Sequence, residues 1–195
     1  MGAHKGEILE LFIKKAPNVR HYAFEPIPEL YNNLKKKFSD RCNVFPFALS
    51  DKEGESGFQY VKNAPAYSGI LKRRYAIQHP DIEELKVELK RLDSVIPDDV
   101  KVGFIKIDVE GAEFLVLKGA KEILKRDKPW VIFECGLGAS DYYGTKPEDV
   151  FDFFQNEVGM GISLLSNWNK VSLIKDDFCG YYHSNTEYYF IAHPM

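Results

Sequence analysis

The chain is poor in the residues that build special scaffolds. Its three cysteines, Cys42, Cys135 and Cys179, are few, far apart and odd in number among 195 residues. That excludes a disulfide framework or a zinc site and fits a reducing compartment. No apolar run approaches the ~20 residues of a membrane span, and no signal-like stretch precedes the first motif. The resulting expectation is a soluble cytoplasmic protein with no membrane partner. Neither sign of charge dominates, with 26 Lys and Arg against 29 Asp and Glu and a net charge of −3. A nucleic-acid partner would need a basic surface, and none is expected. The cluster Lys35-Lys36-Lys37 reads as the solvated face of a helix. Internal repeats and low-complexity segments are lacking as well. What remains is a chain with 45% hydrophobic residues, read as one domain over 1–195 with a sizeable core.

Strand and helix patterns alternate along it, which predicts an α/β fold with a mostly parallel sheet. Helical spacing covers 6–15 and continues from Pro28 through Leu30, Leu34 and Phe38, where a proline at the first turn is favourable. Strands are predicted at 21–24, 44–47, 57–62, 87–89, 104–108, 130–134, 162–165 and 188–192. Residues 147–157 read as a further helix, and 92–96 as a short one. Between them, 63–80 has little periodicity, two prolines, a glycine and the basic stretch Lys72-Arg73-Arg74. It is the candidate mobile lid over a site.

Two stretches carry chemistry. Phe104-Ile105-Lys106-Ile107-Asp108-Val109-Glu110-Gly111-Ala112-Glu113 reads as a strand that ends in carboxylates and turns at a glycine into a helix. Ligands of open α/β sheets bind at the carboxyl ends of strands, so Asp108 and Glu110 face a candidate site; the competing reading is that they only cap the following helix. The second stretch, Gly2-Ala3-His4-Lys5-Gly6-Glu7, places glycines before a helix, where free N–H groups meet a ligand closely. Glu25 lies 19 positions after Gly6, at the end of the next strand. An acidic residue about 20 positions beyond a glycine turn is placed to accept from both ribose hydroxyls of a nucleoside cofactor.

Tyr22-Ala23-Phe24-Glu25-Pro26, Ala48-Leu49-Ser50-Asp51-Lys52-Glu53-Gly54, Leu92-Asp93-Ser94 and the phrase from Ile105 to Glu113 together resemble FkbM-type methyltransferases, a branch of the class I enzymes that use S-adenosylmethionine. The resemblance implies a Rossmann-like three-layer sandwich whose mostly parallel sheet has an antiparallel strand near one edge. It further implies O-methylation of a hydroxyl on a sugar, glycan or secondary metabolite. Gly2, Ala3, His4 and Gly6 would line the methionine part of the cofactor, Glu25 would hold the ribose, and Ala48 and Leu49 would border the adenine. Asp108 would sit beside the transferred methyl. In the family a first strand precedes the glycine turn, whereas here that motif begins at Met1. The expectation is therefore an N-terminally truncated domain lacking a central strand between those ending at Glu25 and Asp108.

Lys106 shares a strand face with Phe104 and Asp108 and needs a partner, for which Glu134 is the expected carboxylate. Glu134 is the second candidate catalytic residue beside Asp108, placed either to orient a substrate hydroxyl or to pair with Lys106. His4, His79 and His183 are the alternative general bases, although a lone loop histidine is more often a surface residue. Tyr181, Tyr182, Tyr188 and Tyr189 read as packing. Two other functions use the same residues: Asp108, Glu110 and Glu134 binding Mg²⁺ for phosphoester hydrolysis, or an inert cofactor-binding remnant. No metal is assigned in the favoured reading.

Overall fold

In the computed structural model, which describes residues 1–166, 168 and 171–195, nine strands form three sheets. The chain begins with α1 (Glu7–Lys15), β1 (His21–Phe24), α2 (Pro28–Phe38) and β2 (Cys42–Phe45). β1 and β2 pair in parallel, His21 opposite Cys42 through Phe24 opposite Phe45. Leu9 and Ile13 of α1 and Leu34 and Phe38 of α2 bury against this pair, which is what their helical spacing predicts.

The second sheet has the order β3-β5-β4, built from β3 (Ala48–Leu49), β4 (Gly54–Val61) and β5 (Ile82–Lys90). β4 and β5 are antiparallel over their whole length, and β3 adds in parallel at Leu89 and Lys90. Residues 62–81 arch between the two long strands. A short helix over α3 (Leu92–Val95) leads to the third sheet, of order β6-β7-β9-β8, comprising β6 (Phe104–Lys106), β7 (Trp130–Glu134), β8 (Met160–Leu164) and β9 (Tyr189–Pro194). β6 and β7 are parallel, whereas β9 runs antiparallel to both β7 and β8.

The sheets are thus mixed rather than mostly parallel: three of the six pairings are antiparallel. The physical reason is connectivity. A connection that runs directly back along its neighbour gives the antiparallel β4–β5 pair, and β9 returns between β7 and β8 after a helix.

Two further helical differences matter. The helix after the acidic motif breaks into α4 (Glu113–Lys118) and α5 (Lys121–Asp127), with Asp93 accepting the N–H groups of Glu122 and Ile123 at the start of the second. The helix α6 (Pro147–Asp152) widens into a π-helical turn over Phe153–Val158. Residues 175–184, which carry no helical reading in the sequence, form α7 (Lys175–Ser184). Phe178 and Tyr182 face the core from it, and His183 turns outward toward Glu148, 3.9 Å away.

The main core lies on the third sheet, where Val131, Phe133, Phe154, Phe178 and Phe190 are almost wholly buried. Among the described residues β1 and β6 each have one paired neighbour, β2 and β7 respectively. Their other edges face one cleft of about 860 Å³, walled by apolar side chains such as Ile8, Phe12, Val19 and Phe104. At its upper end Met1 and Ala3 bridge the two strands. The Ala3 N–H donates to Phe24 O at 3.1 Å, and the Met1 ammonium donates to Lys106 O at 2.8 Å. Burial lowers that ammonium's pKa to about 5.

Candidate active site

A cavity of about 140 Å³ opens at the carboxyl ends of β1, β3 and β6, lined by Gly2, His4, Glu25, Ala48, Leu49 and Asp108 among others. Gly2 stands here for a steric reason. Its φ is +68°, and a Cβ would lie 1.8 Å from the Asp108 carbonyl oxygen, so the backbones of the first turn and the acidic motif touch directly. Glu25 is 4% exposed. Its Oε2 accepts the His4 N–H at 2.8 Å and its Oε1 the Ile27 N–H at 3.0 Å, which tie the first turn to the start of α2. Burial pushes its carboxyl up to about 7, against the opposing pull of those two donors and of the Met1 ammonium. His4 is held at φ 48°, and its Nε2 is buried without a hydrogen-bond partner among the described residues.

Two of the expected cofactor residues lie off this cavity. Ala3 lines the larger cleft between β1 and β6. Gly6, also at positive φ, caps α1 and packs on Leu34 and Phe38.

The acidic motif resolves into three separate duties. Asp108 Oδ2 pairs with Lys106 Nζ at 2.6 Å, so Lys106 takes its partner from two residues along its own strand and not from Glu134. Glu110, at φ 60°, pairs with Arg73 of the 63–80 segment. Glu113, the first residue of α4, ties down the turn that precedes the helix: its Oε1 accepts the N–H groups of Val109 at 2.9 Å and Gly111 at 3.3 Å. Neither Asp108 nor Glu110 caps the helix. Gly111 is fixed by the same turn: at φ +109° its Cβ would meet Ala139 O at 2.5 Å. Burial pushes the Glu113 carboxyl up to about 7, and its Oε2 is buried without a partner among the described residues.

Glu134 ends β7, one strand over from β6, and does not line the cavity. Its carboxyl is raised above the usual carboxylate range, first by burial and then by the charge of Asp108, while the nearby Tyr189 phenol, Lys106 and Arg73 oppose the rise. Tyr189 stands directly across from it on β9. Among the described residues no cation lies within ion-pair distance of Glu134.

The 63–80 segment folds over the site with anchors of its own. Pro65, Ala66, Ser68 and Ile70 contribute to the cavity wall. The Leu71 N–H donates to Tyr143 Oη at 3.0 Å, and Arg73 reaches both Glu110 and the carbonyl of Gly138. His79 turns at φ 55°, with its carbonyl accepting from Asn63, and neither it nor His183 lines the cavity. That separates both histidines from the chemistry proposed for them.

The profile of the Methyltransferase FkbM domain family matches residues 1–159. The chain belongs to the FkbM methyltransferase family. It is 29% identical over 153 residues to the methyltransferase sdnD of Sordaria araneosa, an alignment covering 62% of this chain and 59% of that one. Its fold is similar to the crystal structure of methyltransferase FkbM from Methylobacillus flagellatus KT, with a TM-score of 0.59 and 17% identity, covering 98% of this chain and 42% of the other. The chain therefore spans less than two thirds of either relative.

Sequence reading missed the partnerships of Arg73 and Tyr143 within the matched FkbM residues, and the register of Tyr189 beyond them. Arg73 was visible as part of a basic stretch, but its carboxylate lies 37 positions away. Tyr189 is one of four tyrosines near the end of the chain, and only its register opposite Glu134 separates it from the others. No helix among the described residues is long and apolar enough to cross a membrane.

Proposed function

We propose that this FkbM-family chain transfers a methyl group from S-adenosylmethionine to a hydroxyl of a sugar, glycan or secondary metabolite. The observation that carries the reading is Glu25, a buried carboxylate at the cavity floor. Two backbone donors use one lone pair on each of its oxygens, which leaves acceptor capacity for a pair of ribose hydroxyls. The buried, unpartnered Nε2 of His4 and the backbone contact at Gly2 fit a polar ligand that passes over the first turn. Ala48 and Leu49 offer an apolar wall at the far side. When bound, S-adenosylmethionine supplies a methyl already activated on a sulfonium.

The chain's own residues divide the remaining work. Asp108, its charge compensated by Lys106, sets the field at the mouth of the cavity. Glu134, one strand over from Asp108 and outside the cavity wall, is the second candidate acceptor of the hydroxyl proton. The 63–80 segment, anchored by Arg73 and Tyr143, excludes water as a lid. A Mg²⁺-dependent phosphoesterase is supported less well, because Asp108 and Glu110 are each engaged by a cationic side chain.

The three sheets are further read as one Rossmann-like sheet interrupted between β1 and β6, where a strand joined at Met1 would pair with both free edges. Support comes from the two parallel edges left unpaired among the described residues, the apolar walls and the partly buried Met1 between them. Calorimetry with S-adenosylmethionine, with and without Mg²⁺, tests the reading in this chain and in a version extended before Met1 by an apolar six-residue strand. Binding independent of Mg²⁺, tightened by the extension, is expected. Absence of binding in both forms, together with Mg²⁺-dependent cleavage of a phenyl phosphate, would overturn it.

A further inference from the structure

We propose that Ser68 determines recognition of the nucleoside base, its hydroxyl donating to an in-plane ring nitrogen of the bound purine. This rests on the reading of the cavity as the S-adenosylmethionine site. The polar side chains that line the cavity are His4, Glu25, Ser68, Asp108 and Glu110. Three of these are carboxylates, which accept and do not donate when ionised. Asp108 and Glu110 are moreover engaged by Lys106 and Arg73. His4 sits with Glu25, its backbone N–H donating to Oε2 at 2.8 Å, on the side read as the ribose end. Ser68 supplies the one hydroxyl among the described residues of the cavity wall.

That hydroxyl is fixed in place and its proton is unspent. Ser68 is 7% exposed. Its N–H donates to Pro65 O at 3.1 Å, and its Oγ accepts the Val61 N–H at 3.0 Å. The next residue is tied to β4 in both directions: Gln59 N–H donates to Gly69 O at 2.7 Å, and Gly69 N–H to Gln59 O at 3.2 Å. Ser68 therefore stands at a rigid root of the 63–80 segment. A hydroxyl has one proton to give and two lone pairs to receive with. Val61 uses a lone pair, and no acceptor among the described residues takes the proton. A donor so buried is unfavourable until a ligand atom accepts from it. The surroundings select that atom. Ile27, Leu30, Ala48 and Phe58 form one apolar cluster with Ile70 packed against it, and all of them line the cavity. Such a wall takes the faces of a flat ring, whose polar atoms lie on its edge. A ring nitrogen on that edge is an acceptor that Ser68 can meet and the ionised carboxylates cannot.

Calorimetry tests the assignment by comparing S-adenosylhomocysteine with its 1-deaza, 3-deaza and 7-deaza analogues, each of which replaces one ring nitrogen by C–H. One analogue is expected to bind the parent about two- to tenfold more weakly than S-adenosylhomocysteine, the range of a single neutral hydrogen bond. In Ser68→Ala, S-adenosylhomocysteine should weaken by the same factor and the deficit of that analogue should vanish, while the other two keep their parent ratios. Ser68→Ala also deprives the Val61 N–H of its partner. Ser68→Cys, whose sulfur still accepts weakly, stands beside it, and the deficit should shrink there too. Equal binding of all three analogues and S-adenosylhomocysteine to the parent would overturn the proposal. So would deficits that both variants retain, or a uniform loss for all four ligands, which marks disturbed packing. Each of those results leaves the cofactor reading standing. Absence of S-adenosylhomocysteine binding to the parent and to its strand-extended form would remove both together.

Discussion

Replacing Glu25 by glutamine separates the two duties of that carboxylate. An ionised carboxylate offers about four acceptor positions. In this chain the N–H groups of His4 and Ile27 take two of them, one on each oxygen, and the ribose would use the rest. Glutamine has one acceptor oxygen, so its amide NH₂ must face one of those backbone donors. Leaving that donor unpaired costs about 1–3 kcal/mol of stability. The loss is offset, because a carboxyl held at about 7 against an ordinary 4.5 destabilises the fold by about 3 kcal/mol once it ionises. The variant is therefore expected to stay folded at pH 8, with a melting temperature within about 10 °C of the parent.

Ligand affinity has no such compensation. A hydrogen bond to a charged acceptor is worth about 1.5–3 kcal/mol, which predicts a ten- to hundredfold weaker dissociation constant for S-adenosylhomocysteine. The assay is titration calorimetry at pH 6, 7 and 8 on parent and variant. Parent affinity should fall as pH drops below about 7, because protonation removes acceptor capacity from Glu25. The glutamine variant should be flat over the same range. A dissociation constant within threefold of the parent at pH 8, or a pH dependence that survives the substitution, would show that the ribose is held elsewhere.

Asp108→Asn keeps the side-chain shape but leaves Lys106 without its counter-charge; turnover on methyl glycosides should fall about ten- to a hundredfold while cofactor affinity changes little, as measured by labelled methyl transfer beside calorimetry. Glu113→Gln should alter the pH dependence of stability. The folded carboxyl binds its proton more tightly than the unfolded one, so the parent loses about 3 kcal/mol as pH rises from 4.5 through 7. Urea melts of the variant should lack that loss. Arg73→Ala breaks the tie between the 63–80 segment and Glu110; amide exchange in that segment should accelerate about five- to a hundredfold by mass spectrometry, with the core strands of the third sheet unaffected.

The sequence by itself determined the elements whose signals are local. The spacing of Leu9 with Ile13, and of Leu30, Leu34 and Phe38, places α1 and α2, because a helical stripe depends only on neighbours three and four apart. The strand that leads into Asp108, although it ends at Lys106 and not at Asp108, the glycine turn at Gly2 and the distance to Glu25 were equally legible, since a strand–turn–helix segment is written in contiguous residues. So was the family, carried by the same phrases. Helix α7 was not: its polar positions and weak apolar stripe give little periodic signal, and burial of Phe178 and Tyr182 against the third sheet stabilises it.

The tertiary structure alone decided who pairs with whom. Lys106 had two carboxylates within plausible reach, and side-chain direction along its own strand gave it Asp108. Glu110 and Arg73 are 37 positions apart, and Glu134 and Tyr189 are 55 apart. Such partnerships are set by where strands return in the sheet, and chain order carries no record of that distance. The mixed pairing of the sheets has the same origin. Whether β9 enters between β7 and β8 is settled by which faces it can bury, and that is a property of the assembled core.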